Sequence, residues 1–275
     1  MDLWHETTTR QVEGLLSADE AVKGLVIIGS CARSDVALDP WSDIDLAVVV
    51  DDQAVERFYP ATEWIARFGE PYCFSLNSAG HFGVLRAQFV DGRRLDFVII
   101  AESALEKIDE WERNPLRYEN RLLFSRSPML DRVLGRQSPP PVFTPLTQQQ
   151  FERMANDFRF KGMLAVSKAA RNELLVAVHL GLDMVRDCLV LGMALRDRQT
   201  RSDHHRDGSE GNHFLEPLEK TRQSYTALGI LDSIEQSAIV FDKLAAQWQD
   251  GYHECCGPLL EYVERARGAI KKSGV

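Results

Sequence analysis

Cysteine is scarce in this 275-residue chain. There are five, an odd number: Cys31, Cys73, Cys188, Cys255 and Cys256. They are scattered and no pair has CxxC spacing, which argues against a disulfide framework and a structural zinc site and for a reducing, cytoplasmic setting. Long apolar runs are also missing, so no bilayer-spanning segment and no membrane partner is expected. The opening Met1-Asp2-Leu3-Trp4-His5-Glu6 lacks the charged-then-apolar layout of a secretory signal. Basic residues are outnumbered, 32 Lys and Arg against 41 Asp and Glu, for a formal net charge of −9. Proteins that grip nucleic acid usually show a basic surface, so a nucleic-acid partner is not expected; an acidic balance favours small or cationic ones. There is no internal repeat. The 44% apolar and 27% charged content is that of an ordinary globular protein, long enough for two domains.

The informative segment starts at the apolar run Leu25-Val26-Ile27-Ile28. Gly29-Ser30-Cys31-Ala32-Arg33-Ser34 follows, and then Ser42-Asp43-Ile44-Asp45-Leu46. A Gly-Ser turn leaves one strand, and two aspartates separated by one apolar residue open the next. On a strand, residues i and i+2 share a face, so Asp43 and Asp45 point together while Ile44 turns to the core. Neighbouring carboxylates repel and call for a cation or a proton. Mg²⁺ fits, being a hard ion held by one or two carboxylates and substrate phosphates.

This pattern resembles the nucleotidyltransferase superfamily of DNA polymerase β, whose signature is Gly-Ser, a spacer and Asp-x-Asp. The resemblance implies a third carboxylate on a later strand. Here Arg93-Arg94-Leu95-Asp96-Phe97-Val98-Ile99-Ile100 supplies Asp96 on the return strand of a hairpin turned at Asp91-Gly92. A lone Asp in an apolar strand is expensive to bury unless a metal or a catalytic task accounts for it. Asp43 and Asp45 are the expected metal ligands. Asp96 either completes the metal site or takes the proton of an attacking hydroxyl. Two Mg²⁺ ions about 4 Å apart and ATP as co-substrate are expected with them. Gly29 and Ser30 suit phosphate binding through close backbone approach and N–H donors. Arg33 can fork onto a phosphate, and Ser42 is a further donor.

A helix is expected over 8–22, strands over 24–29 and 43–50, a helix over 52–68, the hairpin strands from Val84 to Val90 and from Arg93 to Ile100, a helix over 103–112 and a strand near 120–126. Ser138-Pro139-Pro140-Pro141 and Pro145 then mark a boundary, since such a run continues neither helix nor central strand. Beyond it the periodicity is helical, at 147–168, 172–196, 213–228, 231–249 and 251–272, with a polar loop from Arg198 to Asn212. The fold class is α+β: a polymerase β-like mixed-sheet catalytic domain over 1–137, followed by a helical bundle over 146–275.

The second half contains Ala165-Val166-Ser167-Lys168-Ala169-Ala170-Arg171-Asn172-Glu173-Leu174 and Val185-Arg186-Asp187, and ends with Leu260-Glu261-Tyr262-Val263-Glu264-Arg265-Ala266-Arg267. It is similar to the helical region of aminoglycoside 6-adenylyltransferases, which transfer AMP from ATP to streptomycin. Lincosamide nucleotidyltransferases share the two-domain plan. The Pro and aromatic positions of the streptomycin enzymes are Val176 and Ala177 here, which leaves the acceptor open. The resemblance implies an antibiotic-resistance transferase, monomeric or homodimeric, with ATP in the cleft between domains. Lys161, Lys168 and Arg171 form one helical stripe. By the resemblance Lys168 reaches the nucleotide phosphates, with Arg171 beside it; Glu173 either contacts a cationic acceptor or pairs with a neighbouring base. Transfer to a macromolecule is an alternative acceptor, and a non-catalytic nucleotide-binding regulator is the rival of another class. His204-His205 lack a third ligand at metal spacing and read as solvated loop residues.

Overall fold

The computed structural model describes residues 4–33, 38–78, 80–111, 114–117, 119–136, 144–201, 212–222 and 224–273. Most of the expected polar loop, including His204-His205, lies outside them. The chain divides into two compact units, Met1–Pro141 and Val142–Val275.

The first unit opens with helix α1 (Trp4–Ser17), which stops short of the expected end. Asp19 turns the chain there: its Oδ1 accepts the Ala21 N–H at 3.0 Å and its carbonyl the Val22 N–H at 3.0 Å. Strand β1 (Val22–Ile28) therefore starts two residues early. It runs into a short 3-10 turn, Gly29–Ala32, and β2 (Ile44–Val50) follows. The helix expected over 52–68 is broken. It becomes a 3-10 turn capped by Asp51, the single turn α2 (Val55–Phe58), and a 3-10 segment, Glu63–Phe68. Pro60 between them has no N–H to continue a helix. Strand β3 (Pro71–Ser78) was not expected, although Tyr72, Phe74 and Leu76 alternate with Cys73, Ser75 and Asn77; it lies exposed at the sheet edge. The hairpin is as read, with β4 (Gly83–Phe89) and β5 (Arg94–Ala101) joined at Asp91-Gly92. Glu102–Glu110 is 3-10 rather than α-helical. Strand β6 (Asn120–Ser125) precedes an unexpected helix, α3 (Pro128–Leu134). Ser127 caps it by accepting the Leu130 N–H at 3.2 Å, with Pro at the first turn.

The six strands form one mixed sheet in the order β3-β4-β5-β2-β1-β6. Only β2 and β5 run parallel; the other neighbours are antiparallel. Both faces of the central strands β1 and β2 are covered, as the continuous apolar end of β2 requires. Ile44, Leu46, Val48 and Val50 enter one core with Leu95, Phe97 and Ile99. Ala47 and Val49 enter the other with Ile100, Leu105, Ile108 and Leu130. Asp45 and Asp96 fall on this second face by strict alternation.

The second unit is helical. Helix α4 (Gln148–Ala170) starts in a capping box, Thr147 with Gln150. It meets α5 (Leu174–Thr200) through Asn172, whose φ of 58° is left-handed, a conformation Asn tolerates. The segment expected as a helix over 213–228 is instead a 3-10 run, Asn212–Thr221, with Pro217 inside it. Helices α6 (Ala227–Trp248) and α7 (Gly257–Ser273) complete the bundle. Helix α7 starts later than 251 because Asp242 holds the preceding loop, accepting from Tyr252 Oη at 2.8 Å and from the Cys256 N–H at 3.1 Å.

The bundle core is anchored by Phe158 of α4 stacked on Phe241 of α6, ring centroids 4.0 Å apart and both buried. Phe158→Ala should lower the unfolding free energy by about 3–5 kcal/mol, the cost of losing a buried aromatic and leaving its cavity. Denaturant unfolding checks this, and a loss below about 1 kcal/mol would remove Phe158 as the anchor.

Candidate active site

The site forms where three strand ends meet a turn. The parallel register sets Asp45 of β2 opposite Asp96 of β5, and the hairpin register sets Arg86 of β4 opposite Asp96. On the other side, β1 places Ile28 opposite Asp45, so the Gly29 turn begins beside that carboxylate. Asp43 lies one residue before β2 and shares the side of Asp45, with Ile44 fully buried between them. Asp43, Asp45 and Asp96 each offer a carboxylate oxygen, and these oxygens all lie within 4.8 Å of one another.

Gly29 is required by two separate constraints. Its φ of +71° is left-handed, and a Cβ there would lie 2.4 Å from Asp45 Oδ2. Cys31, in the same turn, donates its thiol to the Asp43 carbonyl at 3.1 Å. Burial, and then the charges of Asp45 and Asp43, push its pKa up to about 11, so Cys31 is a structural thiol rather than a nucleophile. The loop before Asp43 is pinned from α1. Trp4 Nε1 donates to the Pro40 carbonyl at 3.1 Å, and His5 Nε2 lies 2.9 Å from the Ser42 carbonyl. The Ser42 N–H donates to Asp39 Oδ1 at 2.9 Å, which shapes the approach to the first aspartate.

Two arginines complete the constellation. Arg94 Nε and Nη2 donate to Asp96 Oδ1 and Oδ2, each at 3.0 Å, and Nη2 also pairs with Asp43. Arg86 Nε donates to Asp96 Oδ2 at 3.0 Å. Asp96 is buried, and these contacts satisfy it. The Asp96 hydrogen bonds hold the Arg94 pKa above the ordinary guanidinium value, with the charges of Asp96, Asp43 and Asp45 adding. Sequence reasoning did not single out Arg86 or Arg94. For Arg94 the signal was present, two residues before Asp96 on one strand; counting outward from a two-residue Asp91-Gly92 turn would set Ala87 opposite Asp96, so only the observed register, one residue off, finds Arg86.

Among the expected site residues, Gly29 gathers with Asp43, Asp45 and Asp96, and Ser30 and Ser42 flank them in sequence. Arg33 forms an ion pair with Glu119, Nε to Oε2 at 3.1 Å. In the second unit, Lys168 Nζ donates to Glu173 Oε2 at 2.5 Å and Arg171 Nε lies 2.8 Å from Glu173 Oε1. The Lys168 hydrogen bond, with the Arg171 charge added, lowers the Glu173 pKa below the ordinary carboxyl value. Of the two readings of Glu173, pairing with neighbouring bases is the one the geometry displays. Lys161 of the same stripe pairs with Asp187.

Clustered carboxylates with hard oxygen donors fit a divalent cation such as Mg²⁺. They lie at strand ends beside a glycine turn with a left-handed φ, in the order expected of a nucleotidyltransferase. The chain belongs to the streptomycin adenylyltransferase family, whose model matches residues 6–220. It is therefore an adenylyltransferase with the nucleotidyltransferase fold. Among solved structures it is similar to an aminoglycoside 6-adenyltransferase from Bacillus subtilis, with 16% identity over 94% of this chain and 98% of that one and a TM-score of 0.40. A nucleotidyltransferase-like protein from Exiguobacterium sibiricum matches with 11% identity over 98% and 92% and a TM-score of 0.34. A spectinomycin adenyltransferase from Enterococcus faecialis, solved with ATP and spectinomycin, matches with 13% identity over 97% and 99% and a TM-score of 0.31. No curated protein matches the chain.

Gly29→Ala should weaken divalent-cation binding and lower the thermal midpoint together, because the new methyl group strains the turn and displaces the Asp45 carboxylate. Calorimetric titration with Mg²⁺ and a thermal melt check this; wild-type values in both would show that the turn tolerates a side chain.

Proposed function

We propose that this chain transfers AMP from ATP to a hydroxyl of a small cationic acceptor of the aminoglycoside class. The observation that carries the reading is the cluster of Asp43, Asp45 and Asp96 beside the Gly29 turn, in a chain of an adenylyltransferase family. Asp43 and Asp45 would hold Mg²⁺, with Asp96 offering a third oxygen. Bound there, Mg²⁺ would neutralise phosphate charge on the nucleotide and on the departing pyrophosphate. Gly29 and Ser30 present backbone N–H groups to the phosphates, with the Ser30 and Ser42 hydroxyls as further donors. Arg33 reaches a phosphate by exchanging its Glu119 partner. The acceptor oxygen bonds to the α-phosphorus as the bond to the bridging oxygen breaks. Pyrophosphate leaves with that electron pair. Asp96 or a nearby carboxylate takes the hydroxyl proton, Asp96 doing so on an oxygen that Arg94 has released.

Lys168 and Arg171 are assigned to the nucleotide and Glu173 to the acceptor on the family resemblance. Each of these contacts requires the Lys168–Glu173–Arg171 ion pairs to open. The net charge of −9 favours a cationic acceptor. Five free cysteines support a cytoplasmic site of action. No described helix is long and apolar enough to cross a membrane.

The test is pyrophosphate release with Mg·ATP and streptomycin, other aminoglycosides or lincosamides, one at a time. An AMP-sized mass gain on an aminoglycoside is expected; a gain on a lincosamide alone would overturn the acceptor class. Asp43→Asn should cut the rate by about 1,000-fold or more, since several kcal/mol of charge stabilisation is lost, while the thermal midpoint stays near wild type. Wild-type turnover in that variant would remove Asp43 from the metal site.

A further inference from the structure

Arg94 engages the same carboxylates that the proposed metal needs. It stands on the face of Asp96, two residues earlier on β5. Its fork covers both Asp96 oxygens, and Nη2 also pairs with Asp43. A guanidinium is a permanent cation with donors only. An oxygen committed to it has less to give a divalent ion, and two cations cannot share one small cluster without repulsion.

We propose that Arg94 is an exchangeable counter-ion of the acidic cluster: its guanidinium and a divalent cation occupy Asp43 and Asp96 in alternation. Arg94 thereby sets the affinity of the site for the ion and swings off Asp43 when the ion binds. The inference rests on the reading of the cluster as a metal site. Three features support it. The Arg94 side chain is 47% exposed, so it can leave Asp43 for solvent without stranding a buried charge. Arg86 holds Asp96 from the other side, so Asp96 keeps a cationic partner during the exchange. Asp43 has no second cationic partner among the described residues, so it is the carboxylate the exchange turns on.

The experiment is a Mn²⁺ titration of the full chain followed by electron paramagnetic resonance, with thermal melts in EDTA and in Mn²⁺. Arg94→Gln should bind Mn²⁺ about tenfold more tightly than wild type, the scale of the one charge-assisted hydrogen bond that the competing guanidinium no longer makes. It should melt lower than wild type in EDTA and gain more from added Mn²⁺. Arg86→Gln removes a charge of the same sign from Asp96 without touching Asp43, so its affinity should rise less. Equal affinities in Arg94→Gln and wild type, or equal gains in Arg94→Gln and Arg86→Gln, would overturn the exchange. If Arg94→Gln fails to fold, Arg94→Lys keeps the charge but loses the fork and should bind Mn²⁺ more tightly than wild type; an unchanged affinity overturns the exchange. Asp43→Asn separates the two levels. Wild-type Mn²⁺ binding that Asp43→Asn leaves intact removes the metal reading and the exchange with it. Binding abolished in Asp43→Asn but unchanged in Arg94→Gln removes the exchange alone.

Discussion

Like charges on adjacent strands are the constraint around which the first unit is organised. The parallel pairing of β2 with β5 sets Asp45 directly opposite Asp96, with Asp43 two residues from Asp45 on the same side. At about 5 Å and an effective dielectric of about 20, two carboxylates repel by about 3 kcal/mol. Against a net folding stability of about 5–15 kcal/mol that is a large local liability. The remaining parts of the site counter it. Arg94 and Arg86 bring two cations to Asp96, and charge-assisted contacts of this kind contribute about 1.5–3 kcal/mol each. The register that creates the repulsion also supplies the relief, because Arg86 occupies the next position in the same transverse row.

Rigidity around the row follows from how each aspartate is backed. Asp45 is bracketed by fully buried Ile44 and Leu46, and Asp96 by fully buried Leu95 and Phe97. Sliding either strand by one residue would exchange an aspartate for a core side chain, so apolar burial fixes the polar geometry. The turn at Gly29 fits the same frame, its missing side chain leaving room for the Asp45 carboxylate. Loop 39–42 is held from α1 by Trp4 and His5, which ties Asp43 to the sheet although it precedes the strand.

The strands that carry the site were legible because they are buried on both faces and bounded by turn residues. Asp91-Gly92 marked the hairpin, Gly29-Ser30 the first turn, and Ile44 flanked by aspartates the start of β2. Strand β3 was missed although Tyr72, Phe74 and Leu76 alternate with Cys73, Ser75 and Asn77; the period-2 signal is there, on an edge strand whose side chains stay exposed. The helix expected over 52–68 dissolved at Pro60, where a backbone donor is missing, and in place of one helix over 213–228 a 3-10 run with Pro217 inside it ends at Thr221 before α6 begins at Ala227. The carboxylates were visible as chemistry from their types and spacing. Their arginine partners were not, because Arg86 and Arg94 read as ordinary surface residues until the strand register brings them to Asp96. The lesson is physical: periodicity locates a face, but only register names its neighbours.

The same electrostatic device recurs in the second unit. Glu173, at the left-handed turn between α4 and α5, holds Lys168 on one oxygen and Arg171 on the other. Charges that would meet a polyanionic nucleotide or a cationic acceptor are thus already paired within the chain, in both units. Such pairing lowers intrinsic affinity, because each ligand must displace a tethered competitor. It also keeps like charges from destabilising the fold while no ligand is bound, and it gives any ligand with the wrong charge pattern nothing to exchange with. Within each unit taken by itself, selectivity on the proposed function would come from charge exchange rather than from an open, unpaired pocket.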